Sequence, residues 1–333
     1  MKALVVNAFG PFDLAEVGIL PDPVPAAGEV VVDLAASETN YPDILYIEGA
    51  YQKKPPFPFS PGLAGAGRIS AIGEGVDPTK IGQRVLVLPS YGSHAEKVVA
   101  PQDWCFPMPD QMPYVTAAAF GLVYQTAWFA LTARAQLTQG DRVLVLGASG
   151  GIGMATIQLA KALGAGQVIA ATRGPEGAAA ARTMGADAVV DSGMDDLRDG
   201  LRAAVYDLTD GQGADVVIDP VGGDLTAAAL RAMAWQGRLV VVGFASGTIP
   251  KFEGNYLLLK NIGVSGLQWT DYRARHIQQV QAAQAQIFDL WSQGKLTPEI
   301  SATYPLADYA IALHALNEGR ATGKIILTMG EPS

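Results

Sequence analysis

The sequence predicts an α/β protein of two domains, a β-rich unit followed by a doubly wound parallel sheet. The chain of 333 residues exceeds one typical domain, which favours two folding units. Residues 1–110 are rich in Gly and Pro and contain short β-branched runs such as 29–34, a pattern typical of β structure. From about Met112 a helical segment leads into alternating strands and helices, which indicates a parallel sheet covered on both faces. We place the domain boundary near Gly121.

The strands expected in the second domain are continuous apolar runs, as is typical of strands buried on both faces. They lie at 143–146, 168–171, 188–191, 216–219 and 239–242, with a sixth near Ile262. The helices between them, bounded by Gly or Asp, are expected at 151–163, 176–184, 197–209 and 225–235. A long polar helix at 272–293, a segment at 305–318 and a last strand at 324–328 follow, and we expect that strand to return to the first domain. The predicted domains are therefore 1–121 with 267–333, and 122–266.

Charge and cysteine content limit the kinds of partner. The chain carries 23 Lys and Arg against 32 Asp and Glu, a net charge of -9, which gives no general attraction for nucleic acid or anionic lipid. Small molecules are the expected partners. The single cysteine, Cys105, excludes an internal disulfide and a cysteine-rich metal cluster, and it fits a reducing cytosol.

Two stretches bear on the location of the protein. Residues 1–6 lead directly into a strand and lack the long apolar core of a signal peptide. The most membrane-like stretch, 117–133, contains Tyr124, Gln125 and Trp128 and falls short of the ~20 apolar residues needed to span a bilayer. We expect a buried helix there and a cytoplasmic protein.

A glycine-rich turn between a strand and a helix predicts a dinucleotide-binding loop. Residues 146–153 carry the pattern A-x-G-x-x-G, in which one glycine admits the phosphates, another lets the helix pack on the strand, and free N–H groups face the anion. A tight turn that binds no ligand is the alternative. The expected cofactor-binding residues are Ala148, Ser149, Gly150, Gly151, Ile152 and Gly153.

The end of the second strand of this domain favours NADPH over NADH. An NAD enzyme carries Asp or Glu there, whereas this chain has Thr172 and Arg173. A carboxylate would repel the 2'-phosphate of NADP, while Arg173 can pair with it and Thr172 can donate a hydrogen bond. The alternative is that Arg173 is a solvated loop residue.

Two later strand ends complete the expected cofactor site. Residues 219–223 and 243–246 each follow a strand, and open α/β sheets bind ligands at the carboxyl ends of their strands. We therefore expect Val221, Gly243 and Phe244 to contact the cofactor.

The motifs together resemble the medium-chain dehydrogenase/reductase superfamily and, within it, the quinone oxidoreductase branch that includes zeta-crystallin. The resemblance spans essentially the whole chain and implies a GroES-like catalytic domain, closed by the C-terminal segment, around a Rossmann domain. Besides the glycine-rich loop, the segments that carry it are 40–43 (Asn-Tyr-Pro-Asp), 61–67, 82–85 and 323–326.

The resemblance implies no metal site. Zinc-dependent members of the superfamily use a Cys in the segment that matches 40–43 and a His-Glu pair in the segment that matches Leu63 and Ala64, and this chain has neither. Ala64 also departs from the many quinone oxidoreductases that keep Glu there. His94, His276 and His314 are scattered without ligand spacing, so we interpret them as surface or core histidines.

The resemblance also assigns roles to side chains. It places Asn40 beside the nicotinamide, Tyr51 on the side of the hydride acceptor with Tyr46 as a second candidate, and Thr126 at the nicotinamide. Lys324 is expected to reach the cofactor phosphates. The alternatives are a helix cap for Asn40, aromatic core residues for the two tyrosines and a plain strand-edge lysine for Lys324.

Without zinc to polarise an alcohol oxygen, the expected reaction is hydride transfer from NADPH to a quinone or an α,β-unsaturated carbonyl. Hydrogen-bond donors then stabilise the charge that develops on oxygen. There are two alternatives. One is an enoyl-thioester reductase, with Lys53 and Lys54 near the carrier group, and the other is a non-enzymatic, crystallin-like NADPH-binding protein.

The apolar runs 238–244 and 262–269 predict sheet edges that pair in a homodimer.

Overall fold

The computed structural model describes residues 1–319 and 321–330 of the chain. Its strands alternate with helices along the second half of the sequence, as the apolar runs predict. The strands are β1 Lys2–Val5, β2 Glu16–Ile19, β3 Glu29–Glu38, β4 Gly65–Ile72, β5 Arg84–Val87, β6 Lys97–Pro101, β7 Cys105–Pro107, β8 Arg142–Leu146, β9 Gln167–Thr172, β10 Ala188–Asp191, β11 Ala214–Asp219, β12 Met233–Val241, β13 Gly263–Gly266, β14 Ile300–Pro305 and β15 Lys324–Thr328.

All but one of the described α-helices follow residue 110, and the exception is a short helix after β3. They are α1 Tyr41–Glu48, α2 Tyr114–Ala119, α3 Leu122–Phe129, α4 Gly151–Ala162, α5 Gly174–Thr183, α6 Leu197–Leu208, α7 Gly223–Ala232, α8 Gly254–Lys260, α9 Trp269–Arg275, α10 Ile277–Ser292 and α11 Tyr309–Asn317. A π-helical turn at Ala130–Arg134 continues α3. None of the described helices has both the length and the apolarity needed to cross a bilayer.

The chain forms two compact units. The first contains Met1–Leu122, His276–Phe288 and the described part of Pro298–Ser333, and the second contains Val123–Arg275 and Asp289–Thr297. The first change of unit falls beside Gly121, whereas 267–275 and 289–297 lie in the second unit rather than the first. Thr297 is held there because its N–H and C=O both bond to the Gln158 side chain on α4, at 2.7 and 2.8 Å.

The second unit is built on a parallel sheet in the order β10-β9-β8-β11-β12-β13. Strands β8 to β10 extend the sheet in one direction and β11 to β13 in the other, so the strand order reverses between β8 and β11. Leu144, Ile169, Val217 and Leu239 are fully buried in its core. The predicted doubly wound fold is confirmed, and ligands of such folds bind outside the strand ends at this reversal point.

The first unit contains a mainly antiparallel sheet in the order β14-β15-β3-β4-β5-β7, with β6 also paired to β3. As expected, β15 returns to this unit, where Ile326 lies opposite Glu38 of β3. The return places Lys324, the first residue of β15, beside the end of β3 and the start of α1. The predicted GroES-like domain is confirmed.

Three element boundaries differ from expectation. The helix predicted at 272–293 is two helices, because the carbonyl of His276 accepts from the N–H groups of Gln279 and Val280 and starts α10 anew. The helix predicted at 117–133 is interrupted before α3 at Gly121. Strand β12 begins at Met233, six residues before its predicted start at 239, so residues 233–235, predicted as the end of a helix, belong to the strand. Exposed Trp235 and Gln236 interrupt its apolar pattern.

Candidate functional site

The turn between β8 and α4 has the geometry of an anion-binding loop. Gly147 has a φ of 58°, and its carbonyl accepts from Gly150 N at 3.0 Å. The first helical hydrogen bond of α4 runs from Met154 N to Gly150 O at 2.9 Å. The N–H groups of residues 151–153 precede that bond and point out of the helix start. They are the groups that a pyrophosphate would accept from.

Two glycines of this loop are needed for different reasons. A Cβ on Gly153 would lie 2.4 Å from the Gly147 oxygen and 2.6 Å from the Ala148 Cα, so the helix packs against the turn only with glycine here. A Cβ on Gly150 would meet nothing closer than the Gly147 oxygen at 3.4 Å, an ordinary contact. Packing within the protein therefore does not require glycine at 150, whereas a closely approaching phosphate does.

Ala148 and Thr172 support the loop from inside rather than facing a ligand. Ala148 is fully buried, and its N–H is donated to Ala171 O at 3.1 Å. The Thr172 hydroxyl is buried and donates to Ser149 Oγ at 2.9 Å. The Thr172 hydroxyl is thus bonded within the protein because the strand end lies directly under the loop, and its expected donation to a phosphate stays a prediction. Ser149 is half-buried and keeps its own proton to donate.

Gly177 on α5 also belongs to this arrangement, although the sequence pattern did not single it out. A Cβ there would lie 2.5 Å from Thr172 Oγ1 and 3.3 Å from the Ser149 Cβ. The glycine therefore lets α5 approach the contact between the loop and β9.

The exposed side chain of Arg173 stands at the N-cap of α5, directly after β9. Sequence reasoning missed an acid nearby: Asp191 ends β10 as the register partner of Thr172. Its Oδ1 accepts from Gly193 N at 2.8 Å. A Cβ on Gly193 would lie 3.2 Å from that oxygen and 3.7 Å from Arg173 Cγ, so both charges flank the same turn. The acid lies at the end of the third strand of this unit, whereas the dinucleotide-binding pattern covers only the first two strands.

The loop after β11 lies against the glycine-rich loop, and the loop after β12 lies against the loop after β11. A Cβ on Gly147 would sit 2.7 Å from Val221 Cγ2, and one on Gly222 would sit 3.3 Å from Phe244 Cδ1. Gly243 N donates to the Asp219 carbonyl at 3.3 Å. The structure therefore brings Val221, Gly243 and Phe244 to the edge of the sheet that carries the loop.

Buried Asp219 shapes the loop after β11. Its Oδ1 accepts from Val221 N and Gly222 N, both at 2.9 Å, and its Oδ2 accepts from the Thr226 hydroxyl. Thr126, the residue expected at the nicotinamide, lies in the same unit and is buried in α3.

In the first unit, a buried polar cluster surrounds the ammonium of Lys324. Nζ donates to Thr39 O at 2.9 Å and to Asn40 Oδ1 at 2.7 Å, and it lies 2.9 Å from Glu38 Oε2. The other carboxylate oxygen of Glu38 accepts from Leu122 N at 2.7 Å. The three donors of the ammonium thus face three oxygens of its own unit. These contacts hold the ammonium of Lys324 within its own unit, and its expected contact with the cofactor phosphates stays a prediction.

A second buried pair of ionisable side chains lies beside Asn40. Asp43 accepts from Asn40 N at 2.7 Å, and Oδ2 lies 3.6 Å from His94 Nε2, which is itself 3.2 Å from the Glu38 carbonyl oxygen. Burial raises the pKa of the Asp43 carboxyl, while His94 opposes that shift. His94 is therefore a core histidine, as expected, and it helps to hold the start of α1.

The two candidate tyrosines differ in their surroundings. The ring of Tyr46 is buried, and its hydroxyl donates to Ser90 O at 3.0 Å. Tyr51 is half-buried and stacks on Tyr46 with ring centroids 4.5 Å apart. Tyr46 therefore supports Tyr51 from the core side.

The two positions that match the His-Glu pair of zinc-dependent relatives are apolar here. Leu63 and Ala64 are both buried. Within 1–319 and 321–330, no three His, Cys, Asp or Glu side chains lie together as a metal ion would require.

Comparisons with known proteins match both units. Residues 26–110 match the alcohol dehydrogenase GroES-like domain, and residues 151–285 match the family described as zinc-binding dehydrogenase. Quinone oxidoreductase-like protein 2 of Mus musculus is 35% identical over 327 residues, which cover 98% of this chain and 91% of that protein.

Solved structures agree with this assignment. Mycobacterial Rv1454c, solved in complex with NADPH, superposes with a TM-score of 0.91 at 28% identity and covers 98% of this chain and 100% of its own. A quinone oxidoreductase of Pseudomonas syringae has a TM-score of 0.89 at 31% identity, with 98% and 99% covered. The chain therefore belongs to the quinone oxidoreductase branch of the medium-chain dehydrogenase/reductase superfamily.

Proposed function

We propose that this protein is a cytoplasmic NADPH-dependent oxidoreductase that reduces a quinone or an α,β-unsaturated carbonyl without zinc. The observation that carries the proposal is the open phosphate loop, where Gly150 leaves room that the protein does not fill. The names of its relatives, which include quinone oxidoreductases and a protein solved with NADPH, support it. The lone thiol of Cys105 is compatible with a reducing compartment.

The residues of the second unit fit the coenzyme. The N–H groups of residues 151–153 donate hydrogen bonds to the pyrophosphate, helped by the positive end of the α4 dipole. Arg173 pairs with the 2'-phosphate, and Ser149 donates its hydroxyl proton to the same region. We retain Val221, Gly243, Phe244 and Thr126 as the residues that line the remainder of the coenzyme. When bound, NADPH supplies the hydride.

The first unit supplies donors for the oxygen of the hydride acceptor. The acceptor takes up one hydride and one proton, so a quinone becomes a hydroquinone or an enone becomes a saturated ketone, while NADPH becomes NADP⁺. Negative charge develops on the acceptor oxygen, and a positioned donor stabilises it. We assign this role to the amide of Asn40 and to the phenol of half-buried Tyr51. Tyr46 has a supporting role because its own proton is donated to Ser90.

A homodimer is the assembly that the sheet edge supports. Strand β13 ends the parallel sheet with β12 as its described neighbour, which leaves its outer edge for another strand. The preceding helix α8 exposes Leu258 and Leu259 by 77% and 75%, and Trp235 of β12 is exposed by 66%. We infer that a second copy covers this edge and these side chains.

A panel of acceptors tests the reaction class. We expect NADPH oxidation, followed by absorbance, with duroquinone or cyclohexenone, and an unchanged rate after dialysis against EDTA, because no step uses a metal. Turnover only with crotonyl-CoA would favour the enoyl-thioester reductase, and NADPH binding without any turnover would favour the binding protein. A rate that disappears with EDTA and returns with zinc would contradict the proposal.

Substitution of Arg173 tests the coenzyme preference. Arg173→Ala removes the cation that pairs with the 2'-phosphate, so we expect NADPH affinity to fall about tenfold or more while NADH affinity is unchanged. Fluorescence titration with both coenzymes measures this. Arg182→Ala, which removes another exposed arginine of α5, is the matched control and leaves both affinities unchanged. Equal losses for NADPH and NADH in Arg173→Ala would refute the pairing.

Substitution of Gly150 tests where the phosphates bind. Gly150→Ala meets only an ordinary contact within the protein, so we expect an unchanged melting temperature and a NADPH affinity at least about tenfold weaker, since the methyl group occupies the phosphate approach. Gly254→Ala, at an equally open position of the same unit, should change neither quantity. Full NADPH affinity in Gly150→Ala would place the phosphates elsewhere.

Charge at the sheet edge tests the dimer. Leu258→Glu with Leu259→Glu places two carboxylates on the surface that a second copy would cover, so we expect sedimentation equilibrium to change from a dimer to a monomer mass. Leu14→Glu, on an exposed leucine of the first unit, is the control. A wild-type protein that sediments as a monomer would refute this assembly.

A further inference from the structure

The amide of Asn40 is held in one orientation. Lys324 Nζ lies 2.7 Å from its Oδ1, and an ammonium donates hydrogen bonds but accepts none. The oxygen of the amide must therefore face Lys324, which turns the Nδ2 group to the opposite side. Asn40 N is fixed separately by its bond to the Asp43 carboxylate at 2.7 Å. Backbone and side chain are thus both immobilised.

The Nδ2 group of Asn40 differs from the backbone N–H and the Oδ1 of the same residue, which both form hydrogen bonds. Asn40 is 5% exposed, and within the described chain its Nδ2 has no hydrogen-bond partner. A buried donor without a partner is unfavourable and is rare in native proteins, so it requires an explanation. A ligand oxygen that binds at this position provides one.

The carboxylate of Glu38 holds the ammonium in place. Its Oε1 is anchored by Leu122 N at 2.7 Å, which leaves Oε2 for Lys324 at 2.9 Å. A Cβ on Gly121 would lie 2.7 Å from that Oε1 and 2.5 Å from the Ala64 Cβ. Glycine at 121 therefore permits the close approach on which the position of Glu38 depends.

We propose that Glu38 and Lys324 are positioning residues that orient Asn40 Nδ2 as the donor to the carbonyl oxygen of the hydride acceptor. This inference rests on the proposed function. The ammonium also polarises the amide through Oδ1, which strengthens its N–H groups as donors in a buried site. The donor is then preorganised for the charge that develops on the acceptor oxygen during reduction.

A mutant cycle tests the positioning role. Glu38→Gln with Lys324→Met removes both charges together, so neither is left buried alone. We expect Asn40→Ala to lower kcat about 100-fold and the double variant to lower it at least about tenfold, with NADPH affinity unchanged in both. The triple variant should match Asn40→Ala alone to within about threefold, because the pair acts only through that amide. The acceptors are duroquinone and cyclohexenone.

Three outcomes would overturn the proposal: a double variant with the wild-type kcat, losses that multiply in the triple variant, or a weakened NADPH affinity with kcat unchanged. The control pair, Lys161→Met with Asp187→Asn, removes a half-exposed ion pair of the second unit and should leave kcat unchanged. If the double variant does not fold, Lys324→Arg, which keeps the buried charges paired but displaces the donor to Asn40 Oδ1, is compared with Asn40→Ala in the same way.

A measurement without turnover separates this inference from the proposed function. The chain has five asparagines, so ¹⁵N-asparagine labelling gives few side-chain NH₂ signals, and Asn40→Ala identifies the one from Asn40. We expect this signal to exchange slowly and to shift in the double variant. An unshifted signal overturns the positioning role, whereas a wild-type protein inactive with every acceptor overturns only the proposed function.

Discussion

The buried ion pair between Lys324 and Glu38 is the interaction on which the first unit depends. It joins β15 to the junction between β3 and α1. Lys324 Nζ also donates to the carbonyl oxygen of Thr39, which is 285 residues away in the sequence. Removing one partner of such a pair costs about 3–5 kcal/mol, because the other charge stays buried. A half-exposed pair such as Lys161 with Asp187 contributes at most about 1 kcal/mol. The C-terminal strand and the start of α1 are therefore ordered together.

The second unit depends on a different constraint, the close packing of glycines around a helix start. Gly153 and Gly177 let α4 and α5 approach the turn and the end of β9, and neither position accepts a Cβ. Gly150 is sterically free, and the N–H groups of residues 151–153 lie beside it. Packing thus accounts for two of these glycines but not for Gly150. The same motif therefore contains one glycine that packing requires and one that it does not.

Much of the fold was predictable because its signals are local. Strands buried on both faces are continuous apolar runs, so β8 to β11 were found within two residues of their observed bounds. The glycine-rich turn was visible because a loop of this geometry tolerates few residue types. The predicted start of β12 lies six residues after the observed start, since exposed Trp235 and Gln236 interrupt the apolar pattern of the strand. The split of the predicted long helix at His276 likewise has no breaker residue to mark it.

The sequence by itself determined the two-domain α/β architecture, the phosphate loop and the absence of an acid directly after β9, since each depends on neighbouring residues. Only the tertiary structure decided that Lys324 is buried against Asn40, that Thr172 bonds to Ser149, and that Asp191 flanks Arg173. These contacts join residues distant in the chain. The sequence alone does not show whether a lysine or threonine faces solvent or a buried partner, because burial is set by the packing of whole strands and helices.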